Sequence, residues 1–422
     1  MKRFVLLTGL SGLAVFAVFF FAPSRPVHPD AAAIRSASAT EPAPQWARAV
    51  ERARGIVRAA MAEQSVPGLS MAVGAGGDVV WAEGFGWADL KAGVPVTPDT
   101  RFRIGTASTV LTSAAAGLLV DQGRLRLDEE IQTYVPKFPK KPWPVTLRQL
   151  MADVSGVGMD GGSDGPLNGQ RCAGPVDALP YFAGEPLQFE PGTQFRRSNY
   201  GWILVSAAVE AAASQPFTAF LRQQIFAPLG MKNTGAESAA EENPERVGEP
   251  AEDPPPATLV RHLILEPLGI AERQNKTPQD PATIYFPGWG NDPLFRYRLH
   301  VMRPHNLSCY AGSMAFLSTA SDLARFGVAM HGGKLLQPAT VRLLQSPQQL
   351  RSGAKTGSGL GWDIGGGEAA GRDGELRGER LVSFRMFPQS GIVVAVMANC
   401  PRAETAALVR QVAEAFTEPA RP

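Results

Sequence analysis

The chain has 422 residues, 44% hydrophobic and 19% charged, a balance that excludes a disordered polypeptide. Forty-one basic against 39 acidic residues leave a net charge of +2, so there is no global electrostatic case for nucleic acid. Five histidines and three cysteines, widely scattered, leave little material for a metal site. Met1-Lys2-Arg3 is followed by an apolar run over residues 4–22. At helical rise that run reaches about 28 Å, close to the roughly 30 Å of a bilayer's hydrocarbon core. Residues 1–22 therefore read as a signal anchor, or as a signal peptide cleaved after Ala31-Ala32-Ala33. The basic flank stays cytoplasmic and the remainder is exported, so the expected location is periplasmic, anchored to the inner membrane or released by cleavage.

Residues 23–45, rich in Pro, Ala and Ser, read as a tether, and residues 46–420 as the folded domain. A helix is expected from Trp46 to Gln64. Two strand-like runs follow at residues 69–73 and 79–85, joined by a glycine-rich turn over residues 74–78. From Thr109 to Asp121, Val110, Leu111, Ala114, Ala115, Leu118 and Leu119 recur at helical spacing, and Gly123 stands where a C-terminal cap belongs. Thr146 and Gln149 form a capping-box start for the short helix Leu147–Met151.

Helical pattern returns at residues 200–213, 217–226 and 322–330, and strand pattern at residues 360–364, 381–387 and Ile392–Ala398, before a last helix over residues 404–416. Strands at both ends with helices between them predict an α+β fold. Its antiparallel sheet would be built from both chain ends, flanked by helices, with a mostly helical region inserted. Between Ala236 and Pro256 seven acidic residues, one arginine and several prolines mark a surface insertion.

Export permits disulfides. Cys400 closes the apolar run Ile392–Ala398 and reads as a buried strand end, while Cys172 and Cys309 sit in loop-like sequence and form the expected pair. Two motif matches fail on context. Gly161-Gly162-Ser163-Asp164-Gly165 spells a nucleophile elbow, but no apolar strand delivers the serine to it. His300, His305 and Cys309 could suggest zinc, yet Pro304 interrupts any helix that would align them and no fourth ligand is apparent. No phosphate-cradling loop or dinucleotide fingerprint occurs, so no metal and no cofactor is expected.

The informative landmarks are ordered along most of the chain. Phe102-Arg103-Ile104-Gly105-Thr106-Ala107-Ser108-Thr109 opens the amphipathic helix, and Tyr134-Val135-Pro136 and Ser155-Gly156-Val157 follow. Phe189-Glu190-Pro191-Gly192, Ser198-Asn199-Tyr200-Gly201, Pro228-Leu229-Gly230-Met231 and Leu360-Gly361-Trp362 continue the series. Over roughly residues 50–415 this set resembles the serine β-lactamase-related family, which includes class C β-lactamases, penicillin-binding-protein-like hydrolases and the mitochondrial β-lactamase-like protein. The resemblance implies a β-lactamase/transpeptidase-like fold. It also implies three catalytic motifs: Ser-x-x-Lys at a helix start, a Tyr-x-Asn loop, and His or Lys, one residue, then Gly on a pocket strand.

In each frame this chain departs from that pattern. Thr106 stands at the nucleophile and Thr109 at the lysine, which leaves a hydroxyl but no base near neutral pH. Arg197 replaces the tyrosine while Asn199 is kept, and arginine cannot accept a proton. Arg372 falls where the family has His or Lys, with Gly374 retained, and Asp153 stands where many relatives carry histidine. Lys355-Thr356-Gly357 spells the alternative third motif but precedes Leu360-Gly361-Trp362, which argues for a loop.

Two readings follow. One is a non-catalytic, exported ligand- or partner-binding protein, with Arg197, Asn199, Arg372 and Ser155 as candidate binding residues. The two arginines would there receive the carboxylate of a peptide or cell-wall-derived ligand, unless they point into solvent or pair with Asp153 or Asp373. The other is an ester, peptide or β-lactam hydrolase with an altered catalytic set using Thr106.

Overall fold

Strands β2 (Gly68–Ala75) and β3 (Asp78–Asp89) form a hairpin near the start of the folded region, after β1 (Ser36–Ser38) and helix α1 (Ala47–Gln64). The computed structural model describes residues 26–159, 165–167, 169–237, 280–287, 299–302, 306–365 and 369–417. The N-terminal apolar segment, residues 161–164, the acidic insertion beyond Glu237, and His305 lie outside the described residues. Helices α2 (Ser108–Asp121), α3 (Leu147–Met151), α4 (Asn199–Ala213), α5 (Phe217–Leu221) and α6 (Ala320–His331) follow. The chain then returns to β4 (Asp363–Gly365), β5 (Ala369–Leu376), β6 (Glu379–Phe387) and β7 (Ile392–Ala398), and ends on helix α7 (Thr405–Thr417).

The main sheet runs in the order β1-β3-β2-β7-β6-β5-β4 with antiparallel neighbours, and the short strand Val94–Pro95 hangs off β3. The two chain ends meet at its centre, where β2 pairs with β7 from Val393 opposite Gly74 to Ala398 opposite Leu69. Side chains alternate across this pair because successive strand residues point to opposite faces. Leu69, Met71, Val73, Ile392, Val394 and Val396 pack with Val50, Val57 and Met61 of α1 and Leu408 and Val412 of α7. Ala72, Val393, Ala395 and Met397 face the other way, into the core shared with Phe326 of α6 and the middle helices. The α+β architecture predicted from strand runs at both ends is the observed one.

Several boundaries differ. Residues 26–45 are not a free tether, because Ser36, Ala37 and Ser38 pair with Phe85, Gly84 and Glu83 on the outer edge of β3. Ile34 is buried there, and His28 Nε2 lies 3.1 Å from the Pro67 carbonyl oxygen. That edge would otherwise present unpaired backbone groups, which the segment covers. The strand expected over residues 360–364 begins only at Asp363, since Gly361 adopts φ +90° and breaks extended backbone. The helix expected over residues 217–226 changes after Leu221 into a π-type turn, Arg222–Phe226.

The helix over residues 147–151 is realised with its box: the Gln149 amide donates to the Thr146 hydroxyl at 3.2 Å, and the Thr146 amide donates to Gln149 Oε1 at 2.9 Å. Cys172 and Cys309 form a disulfide, with their Cα atoms 4.8 Å apart, and Cys400 is fully buried. Cys309 is thereby spent as a thiolate ligand. Among the described residues no cluster of three or more His, Cys, Asp or Glu could hold a metal ion.

Candidate active site

Three segments meet beside β5: the turn Gly105–Ala107 that leads into α2, the loop around Asp153 and Ser155, and the Arg197-Ser198-Asn199 entry to α4. The turn and β5 approach at backbone distance. Gly105 has φ +51°, and a Cβ on it would lie 2.2 Å from the Glu375 carbonyl oxygen. A Cβ on Gly374 would lie 2.2 Å from the Ile104 carbonyl oxygen, so both glycines are required by contact. A register shift between Gly374 and Glu375 interrupts the β5–β6 ladder at this point.

Thr106 sits in that narrow seam. Its hydroxyl donates to the Asp373 carbonyl at 3.0 Å and accepts from the Glu375 amide at 3.0 Å. One turn on, Thr109 is 1% exposed, and its hydroxyl lies 3.0 Å from the Thr106 carbonyl and 3.3 Å from that of Gly361. Both threonines thus direct their hydroxyls to main chain.

The two arginines converge on one carboxylate. Arg197 Nη2 donates to Asp363 Oδ1 at 2.9 Å, and Arg372 Nη1 donates to the same oxygen at 3.2 Å. Arg372 is 3% exposed, and its Nε has no hydrogen-bond partner. Burial alone would raise the Asp363 carboxyl, but Arg372 and Arg197 beside it outweigh that and hold it below the usual carboxylate range. Burial pulls the Arg372 guanidinium below its ordinary value, with the neighbouring Arg197 adding to the effect.

Asp153 and Asp373 were the alternative partners to a ligand carboxylate, and neither makes this ion pair. Asp373 turns to Arg385 at 2.8 Å, Arg380 at 3.1 Å and the Ser383 hydroxyl at 2.8 Å. Asp153 is buried with φ +57°, and its Oδ1 accepts from the Ser198 amide at 3.3 Å and the Trp202 indole at 3.2 Å. Burial pushes its carboxyl up to about 6 against the pull of Arg372 and Arg197. Asp363 belongs to none of the family frames; its one sequence signal is that it directly follows Leu360-Gly361-Trp362.

The other candidate residues are structurally engaged. Ser155 is 2% exposed, and its hydroxyl accepts from the Val157 amide at 3.2 Å. Ser198 caps α4, accepting from the Gly201 amide at 2.8 Å and donating to the Gly158 carbonyl at 2.6 Å. Asn199 is buried as the first residue of α4. Lys355-Thr356-Gly357 lies outside β5, in a loop where Gly357 has φ +71° and the Thr356 hydroxyl is 3.1 Å from the Gln348 carbonyl. A cavity of about 980 Å³ opens elsewhere, lined in part by Cys172, Phe217, Arg222 and Lys232, and shares no residue with the arginine pair.

Residues 53–416 match the family model described as Beta-lactamase, and the chain belongs to that family. The human mitochondrial serine beta-lactamase-like protein LACTB is 27% identical over 257 residues, 45% of this chain and 47% of its own length. The putative penicillin-binding protein PbpX of Bacillus subtilis is 27% identical over 169 residues, 40% of this chain and 41% of its own. The chain therefore spans under half the length of these curated relatives. Among solved structures, FmtA from Staphylococcus aureus superposes with a TM-score of 0.65 at 15% identity, covering 90% of this chain and 92% of its own. The D-amino acid amidase from Ochrobactrum anthropi gives 0.64 at 21%, covering 87% and 98%. These likenesses establish the β-lactamase/transpeptidase fold.

Proposed function

We propose that this protein is an exported β-lactamase-family member that binds a carboxylate-bearing ligand or partner without hydrolysing it. The observation that carries the reading is the hydroxyl of Thr109, buried one turn from Thr106 and directed at main-chain carbonyls. A nucleophilic hydroxyl needs an adjacent base, and threonine supplies none near neutral pH. Arg197, at the second proton-carrier position, stays protonated and is committed to Asp363. Loss of such a pair costs orders of magnitude in rate.

The ligand in this reading is a peptide or cell-wall-derived carboxylate, presented to the protein outside the cytoplasmic membrane. The N-terminal apolar segment would hold the domain near that surface or direct its release.

Intact-mass analysis after incubation with a fluorophosphonate and with a penicillin tests the reading, with a competent family member as control. No adduct is expected. A stoichiometric adduct that disappears in Thr106→Val would overturn the reading and establish the alternative, a hydrolase working through Thr106. That alternative draws on one feature: Thr106 keeps a hydroxyl within 3.0 Å of the Glu375 amide, a donor of the kind that stabilises an oxyanion.

A further inference from the structure

The arginine pair has an unusual economy of contacts. A guanidinium offers five N–H donors and a carboxylate two oxygens, and bidentate pairing is their strong mode. Here a single oxygen, Asp363 Oδ1, serves both Arg197 and Arg372. Arg372 Nε stays unpartnered although the side chain is almost wholly buried. A site built only to hold Asp363 would leave a costly donor unsatisfied. A second feature concerns where Asp363 sits. It opens β4, three residues long and last in the sheet order, and its side chain is 21% exposed. Rotation about its own side-chain bonds would vacate the arginines without unpairing Asp363 from Gly371 on β5.

We infer that Asp363 is a built-in occupant of a two-guanidinium carboxylate site, and that a ligand's carboxylate enters by displacing it. The inference rests on the binding role proposed above and adds its control. Asp363 competes intramolecularly, so the apparent affinity for a free acid is reduced by the fraction of molecules in which the arginines are open. The remaining charged groups around the pair do not fill the same role. Asp153 is turned to Ser198 and Trp202, Arg385 is paired with Asp373, and Glu375 contributes only through space.

The test uses N-acetyl-glycylglycine as the free acid and as its C-terminal amide, at matched ionic strength, with thermal shift and titration calorimetry on the full-length protein. Asp363→Asn keeps the side chain's shape and removes its charge. It is expected to bind the acid about ten-fold or more tightly than the wild type, with no gain for the amide. Adding Arg197→Gln to that variant should abolish most of the gain. Equal affinities in wild type and Asp363→Asn, or equal response to acid and amide, would overturn the inference.

Should Asp363→Asn not fold, the wild type still decides. The acid must raise the melting temperature where the amide does not, Arg197→Gln must weaken that effect, and absence of the difference refutes the site. A covalent adduct at Thr106 would sink the non-catalytic reading while leaving this reversible acid-against-amide contrast intact, so the two can fail separately.

Discussion

The Glu375 amide donates to the Thr106 hydroxyl across 3.0 Å, so the residue at the family's nucleophile position is fastened to the neighbouring strand. The same hydroxyl donates to the Asp373 carbonyl, closing a two-bond bridge between the turn before α2 and β5. On this geometry Thr106 is a structural staple. Thr106→Val preserves shape and removes both bonds, leaving a main-chain donor and acceptor short of partners. It should destabilise the fold by roughly 1–3 kcal/mol, whereas Thr106→Ser should lose less than half of that. Urea midpoints of the two variants check this, and an unchanged midpoint in Thr106→Val would remove the staple.

Much of the scaffold was legible in the sequence where local rules decide it. The box at Thr146 and Gln149 and the apolar run Ile392–Ala398 appear at the predicted positions. Strand β5 did not announce itself, because Ala-Ala-Gly-Arg-Asp-Gly-Glu-Leu carries two glycines and three charges, and its extended form is imposed by β6 and β4 on either side. The strand Ser36–Ser38 is equally silent, being three small polar or apolar residues recruited by the edge of β3. In the site, the family frames named Thr106, Thr109, Arg197 and Arg372, and the structure places Thr106 against β5 and the two arginines on one carboxylate. Their partner Asp363 was not legible, since an ion pair reaching back 166 residues to Arg197 leaves no periodic trace.

Asp153 carries the clearest pH signature. Its carboxyl titrates near 6 in the folded protein against an ordinary value of 3.8, with burial as the main cause and Arg372 from β5 and Arg197 from the α4 entry opposing it. Because the folded-state value is raised, this group's favourable contribution is complete below about pH 4, declines as pH rises through about 6, and is gone above that. The full swing is about 3 kcal/mol at most. Asp153→Asn retains an acceptor for Ser198 and Trp202 and removes the titration. Relative to the wild type, the variant should therefore gain stability as pH rises from about 4 to about 6, then run parallel. Urea unfolding at a series of pH values measures the difference, and curves parallel throughout would contradict the assigned environment.

The Cys172–Cys309 disulfide spans 137 residues of sequence and ties the segment before Pro175 to the short turn Ser308–Tyr310. A cross-link acts mainly by restricting the unfolded chain, and a loop this long sets an upper limit of about 5 kcal/mol in the chain-entropy account. The Cys172→Ser, Cys309→Ser variant should be less stable by several kcal/mol up to that limit. Reductant should lower the wild-type urea midpoint to the variant's value and leave the variant unmoved. Thiol titration gives an independent check. Cys400 is fully buried and burial raises its thiol, so the native protein should show almost no reactive thiol and the unreduced, denatured chain one. Three thiols in the denatured chain, from protein purified without reductant out of an oxidising compartment, would mean that the bond does not form and that the middle region is held by packing alone.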